Sequence, residues 1–109
     1  MPLEESNSLP AFAVLYRWRL HPGTEESFIQ AWSRVSELLR QRGSLGSRLH
    51  KGADGLWYSY AQWPSAQARD DAFALGSADP EASEMMRAAI SERLPEIVLT
   101  PVADYLLHG

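Results

Sequence analysis

Cysteine is absent from the 109 residues, which excludes disulfides, thiolate metal sites and cysteine nucleophiles. No stretch approaches the roughly eighteen consecutive apolar residues of a membrane span. Basic charge is in deficit: ten Lys and Arg stand against fourteen Asp and Glu, a net charge of -4. That leaves no basic stripe to neutralise phosphates, so neither nucleic acid nor an anionic membrane is expected as a partner. The first residues, Met1 to Ser8, are polar and acidic and lack the basic start and apolar run of a secretory signal, so a cytoplasmic location is expected. The three histidines, His21, His50 and His108, are scattered, with no pair at metal-ligand spacing, and neither a metal nor a cofactor is expected. No glycine-rich phosphate loop or Ser-His-Asp set appears. Glu25-Glu26 fits a helix start and Asp70-Asp71 a polar helical stretch, so both acid pairs read as solvated and not as an acid/base dyad.

What is present is the composition of an ordinary folded domain. Apolar residues make up 45% and charged residues 22%, far from the profile of a disordered chain. A chain of this length buries roughly 65% of its unfolded surface, enough for one core and not for two. We read residues 1–10, which carry no periodicity and close at Pro10, as a flexible arm, and residues 11–109 as a single domain.

Residues 11–20 alternate, with Phe12, Val14, Tyr16, Trp18 and Leu20 on one face and Leu15, Arg17 and Arg19 among those on the other: a strand with one buried face. His21-Pro22-Gly23 turns the chain, and Thr24 stands where it can cap a helix. Phe28, Ala31, Trp32, Val35, Leu38 and Leu39 then recur at three-and-four spacing up to a stop at Gly43. Residues 45–51 and 56–63 read as two strands of a hairpin turned by Asp54-Gly55. A helical stretch runs from Pro64-Ser65 to Leu75, and Asp79 with Pro80 opens another, striped by Ala82, Met85, Met86 and Ala89. Pro95 should end that helix. The last strand is expected over 97–107, with Pro101 marking it as an edge.

This order is the split β-α-β arrangement: an α+β, ferredoxin-like, four-stranded antiparallel sheet with its helices on one face. The other face would carry Leu15, Arg17, Arg19, Arg48, His50, Tyr58, Tyr60 and Gln62. Aromatic and apolar surface of that kind marks an association site, and two such sheets facing across a two-fold axis would cover it, so a homodimer is expected.

Three segments carry a resemblance: Phe12 to Leu20 followed by Pro22-Gly23; Gly43-Ser44-Leu45-Gly46-Ser47-Arg48-Leu49-His50; and Tyr60-Ala61-Gln62-Trp63-Pro64-Ser65. In order and spacing the chain resembles the antibiotic biosynthesis monooxygenase family of dimeric α/β-barrel proteins over residues 11 to about 75. The resemblance implies a small-molecule pocket between sheet and helices. In some members it also implies oxygenation of polycyclic phenols without metal or flavin, through a deprotonated substrate that passes an electron to oxygen. On that likeness Trp63 corresponds to the tryptophan that lines the pocket, with the small Ser59 and Ala61 leaving space beside it. Tyr16 and Phe73 fall where haem-cleaving relatives place an asparagine and the iron-ligating histidine, which disfavours haem cleavage here. We therefore expect a pocket walled by Trp32, Trp63 and Phe73, binding a small hydrophobic aromatic such as a polyphenol or quinone. Tyr16 would be the catalytic hydrogen-bond donor to its oxygen. The alternative is a non-catalytic dimeric module that binds a small molecule or a partner.

Overall fold

A computed structural model describes residues 12–77 and 79–105. The arm read over 1–10, the end of the strand expected to reach 107, and His108 lie outside the described residues. Seven elements follow in order: β1 (Phe12–Leu20), α1 (Glu25–Gln41), β2 (Gly46–Lys51), β3 (Trp57–Trp63), α2 (Ala66–Ala74), α3 (Pro80–Ala89) and β4 (Ile90–Leu99). The four strands form one antiparallel sheet in the order β2-β3-β1-β4. This is the ferredoxin-like α+β fold, with β1 and β3 central and all three helices meeting one face.

That face is lined by the alternating side chains of the two central strands. Phe12, Val14, Ala61 and Trp63 pack with Ala72 of α2, and Trp18 and Trp57 pack with Phe28 of α1 and Ala89 at the end of α3. Phe28 stands edge-on between the two indoles, 5.3 Å from Trp18 and 6.0 Å from Trp57. Aromatic pairs in this geometry add about 0.5–1.5 kcal/mol each beyond their buried area.

Local signals set most of the element ends. Helix α1 stops in a Schellman arrangement: Gly43 sits at φ 114°, the Ser44 amide donates to the Leu39 carbonyl and the Gly43 amide to that of Arg40. The β2–β3 connection places Gly55 at φ 85°, and the Asp54 carboxylate accepts from the Leu56 amide and the Tyr58 hydroxyl. Ser65 caps α2 through Ala68, and Asp79 caps α3 through Ala82 with Pro80 at its start.

Two expectations are corrected. Thr24 precedes α1 without capping it: its hydroxyl donates to the carbonyls of His21 and Ala89, tying the turn to the end of α3. The last strand begins at Ile90, not 97, so Pro95 lies inside it and Pro101 beyond its end. Pro95 does not break β4 because the strand is an edge and the proline falls at a register shift, between the pairs Leu15–Ile97 and Arg17–Leu94. No ladder donor is needed there. Its carbonyl instead accepts from Arg17 Nη2 at 2.9 Å.

Candidate functional site

The inner faces of β1 and β3 do not meet the helices everywhere. Ser59 and Ala61, small residues in the middle of β3, leave a cavity of about 200 Å³ beneath α1. Tyr16, Trp32, Trp63 and Phe73 all line it, together with Trp18, Met86 of α3 and Arg93 of β4. A dry cavity of about 150 Å³ holds benzene, so this one has room for an aromatic ring. Phe73, Val35 and Leu39 are shared with an adjoining groove of about 330 Å³ between α1 and the segment from α2 to α3.

Each of the four aromatics is placed by a different element. Trp63 ends β3 with only 1% of its surface exposed, and its indole Nε1 is buried without a hydrogen-bond partner. Phe73, in the last turn of α2, stands edge-on to Trp63 at 6.0 Å and is 46% exposed, so it is the looser part of that wall. Trp32 comes from α1, and its Nε1 donates to Ser59 Oγ at 3.0 Å. Ser59 is 3% exposed and is the one buried polar side chain among the described residues.

Tyr16 lies directly across from Ser59 in the β1–β3 register. Its oxygen accepts from Arg69 Nη1 at 3.2 Å, which leaves the phenol proton uncommitted. Burial pushes the phenol above its usual value, against the lowering effect of the Arg69 hydrogen bond and charge. Tyr16 is therefore a neutral donor near neutral pH and not a base.

Arg69 is the residue that sequence reasoning missed. From α2 it reaches Tyr16 of β1 and Glu96 of β4 and pairs with its neighbour Asp70, while its guanidinium lies 5.3 Å from the Phe12 ring and 5.5 Å from that of Phe73. Burial works against its charge, but the bonds to Tyr16, Asp70 and Glu96 outweigh it and the guanidinium is held well above its ordinary range. The one available signal was its position four residues before Phe73, on the same side of a helix.

Among the described residues no carboxylate or histidine lines the cavity. Among the described residues no grouping of three or more acidic or histidine side chains is arranged to hold a metal, and no helix is long and apolar enough to cross a membrane.

A ferredoxin-like sheet with a cavity between its inner face and the helices defines a small-molecule-pocket α+β protein. The sequence profile of antibiotic biosynthesis monooxygenases matches residues 11–78, and the chain belongs to that family. Solved structures share the fold. A monooxygenase from the ActVA-Orf6 gene of Streptomyces coelicolor, solved in complex with nanaomycin D, is 25% identical, with 97% of this chain and all of that one covered at a TM-score of 0.67. SnoaB, a cofactor-independent oxygenase from Streptomyces nogalater, is 16% identical over 89% of this chain and 98% of its own, at a TM-score of 0.69. Rv0793 from Mycobacterium tuberculosis is 16% identical over 87% and 98%, also at 0.69. No protein of curated function matches in sequence.

Proposed function

We propose that the cavity binds a flat phenolic or quinoid aromatic molecule and that the protein, as a cofactor-independent monooxygenase, oxygenates the phenolic form, whose own electrons reduce dioxygen. The observation that supports this reading is one aromatic-walled space holding two hydrogen-bond donors without acceptors, Trp63 Nε1 and the Tyr16 hydroxyl. A ligand oxygen supplies what both lack. Trp63 Nε1 is buried, so a ligand oxygen reaches it only where the packing around the indole gives way. Negative charge on that oxygen, as it develops when a phenol loses its proton, strengthens both bonds, and donors so placed favour the deprotonated form that reacts with dioxygen. SnoaB and the nanaomycin-binding monooxygenase share this fold, which agrees with the assignment.

The absence of a carboxylate or histidine from the cavity wall favours a second reading, a module that binds the same aromatics without turning them over. Oxygen-electrode assays with anthrone and hydroquinone substrates, run beside calorimetric binding, separate the two. An enzyme consumes oxygen, and Tyr16→Phe lowers its kcat by more than it weakens binding; a binder takes up the ligand and consumes none. Protein that neither binds nor consumes sinks both readings.

The reading extends to assembly. The sheet face turned away from the helices carries Leu15, Tyr58, Tyr60, Ile97 and Leu99, with Ile97 and Leu99 more than a third exposed. A second copy covers this surface in a face-to-face homodimer. Sedimentation equilibrium at micromolar concentration should return twice the chain mass, and a monomer there overturns the dimer.

A further inference from the structure

The ten Lys and Arg side chains all fall within the described residues, and for eight of them the structure shows a hydrogen bond or ion pair. The two without one are Arg48, on the open face of the sheet, and Arg93, which lines the cavity. The acids nearest Arg93 in sequence are already engaged: Glu92 with Arg19 and Glu96 with Arg69. Arg93 stands across from Trp18 in the β1–β4 register, so its side chain belongs to the cavity side of the sheet. It is exposed, which puts it at the open end.

Among the described residues the wall thus presents a cation and the uncommitted Tyr16 hydroxyl and no anion. In a chain of net charge -4, an unpaired guanidinium beside an apolar cavity is a receptor without its counterpart. We propose that Arg93 receives a carboxylate, so that the ligand is a flat aromatic acid with its charged group at the mouth and a phenolic or quinone oxygen at the Trp63 end. Trp63 pairs with Phe12 and Arg93 with Trp18, six residues apart on β1 and on opposite sides of it. At about 3.3 Å per residue they are roughly 20 Å apart along the strand, so the two ends of the ligand meet different ends of the cavity.

This inference rests on the ligand reading given above, and the test separates the two. Titration calorimetry of the full chain compares a hydroxynaphthoate with its uncharged carboxamide, for the wild type and for Arg93→Gln. A charge-assisted pair at an exposed mouth should favour the acid by roughly fivefold to tenfold. In Arg93→Gln that preference should vanish, the acid losing more affinity than the carboxamide. Arg93 is exposed and its side chain makes no hydrogen bond or ion pair within the fold, so circular dichroism should report an intact fold. Equal wild-type affinity for acid and amide overturns the carboxylate assignment and leaves the aromatic cavity standing, as does a preference that survives Arg93→Gln. Failure of both compounds to bind overturns the cavity reading and this inference with it.

Discussion

Replacing Trp63 by Phe should leave the stability of the empty protein almost unchanged while weakening ligand binding, an outcome a purely structural core tryptophan would not give. Trp63 is 1% exposed, and trimming its bicyclic ring to a phenyl removes buried contacts at a cost of roughly 1–2 kcal/mol. The same change deletes Nε1, a buried donor without a partner, and relieves a penalty of about 1–3 kcal/mol. The two nearly cancel, so the free energy of unfolding should move by less than about 1 kcal/mol, against roughly 3–5 kcal/mol for truncating a buried tryptophan to alanine. Urea unfolding followed by far-ultraviolet circular dichroism measures this directly, since tryptophan fluorescence is itself altered by the substitution. Binding of a quinone or phenol should weaken about tenfold, one neutral hydrogen bond's worth. Destabilisation of about 3 kcal/mol with unchanged affinity would refute the reasoning, because Nε1 would then be satisfied inside the fold and unavailable to a ligand.

Ser59→Ala should cost about 1–3 kcal/mol, because it strands the Trp32 indole donor that Ser59 Oγ accepts; pairing it with Trp32→Phe should recover part of that loss, and strict additivity in the double variant argues against the bond. Arg69→Met removes the hydrogen bond and charge that lower the Tyr16 phenol, so ultraviolet difference titration should find Tyr16 raised further, and an unchanged or lower value contradicts the contact. Two carboxyls are held below their ordinary range, Asp54 by the Tyr58 hydroxyl and the Leu56 amide, Asp79 by the Ala82 amide and Arg34. A depressed folded value contributes stability that is present above the unfolded value near 3.9 and is lost as pH falls through the lower folded one. The urea midpoint should therefore drop below about pH 4, and Asp79→Asn should flatten that drop.

Elements whose ends are written in local chemistry were legible in the sequence. The alternation of β1, the stripe of α1, the glycine stop at Gly43 and the Asp79-Pro80 helix start each depend on a few adjacent residues, and the fold follows from their order. The start of β4 was not legible, because Ile90 to Leu94 carry Ser, Glu and Arg in a pattern that continues a helix as readily as an edge strand. Only the pairing with β1 decides it, and that pairing also makes Pro95 harmless. Of the cavity, Tyr16, Trp32 and Trp63 could be anticipated, since they sit on inward faces, whereas Phe73, half exposed on α2, came only from the family resemblance. Its polar wiring could not. Arg69 and Tyr16 are 53 residues apart and Trp32 and Ser59 27, and nothing in the neighbourhood of either partner announces the other.

Pro95 has a consequence for how copies of this chain meet. A strand arriving from outside to extend the sheet along β4 would find a missing donor and a kinked register in the middle of its template, flanked by the charged pair Glu92 and Arg93 and by Glu96. Ladder growth along that margin, the route to domain swapping and fibrils, is thereby interrupted in every molecule. Strand-to-strand pairing of copies is left to the other margin, β2, which carries no proline.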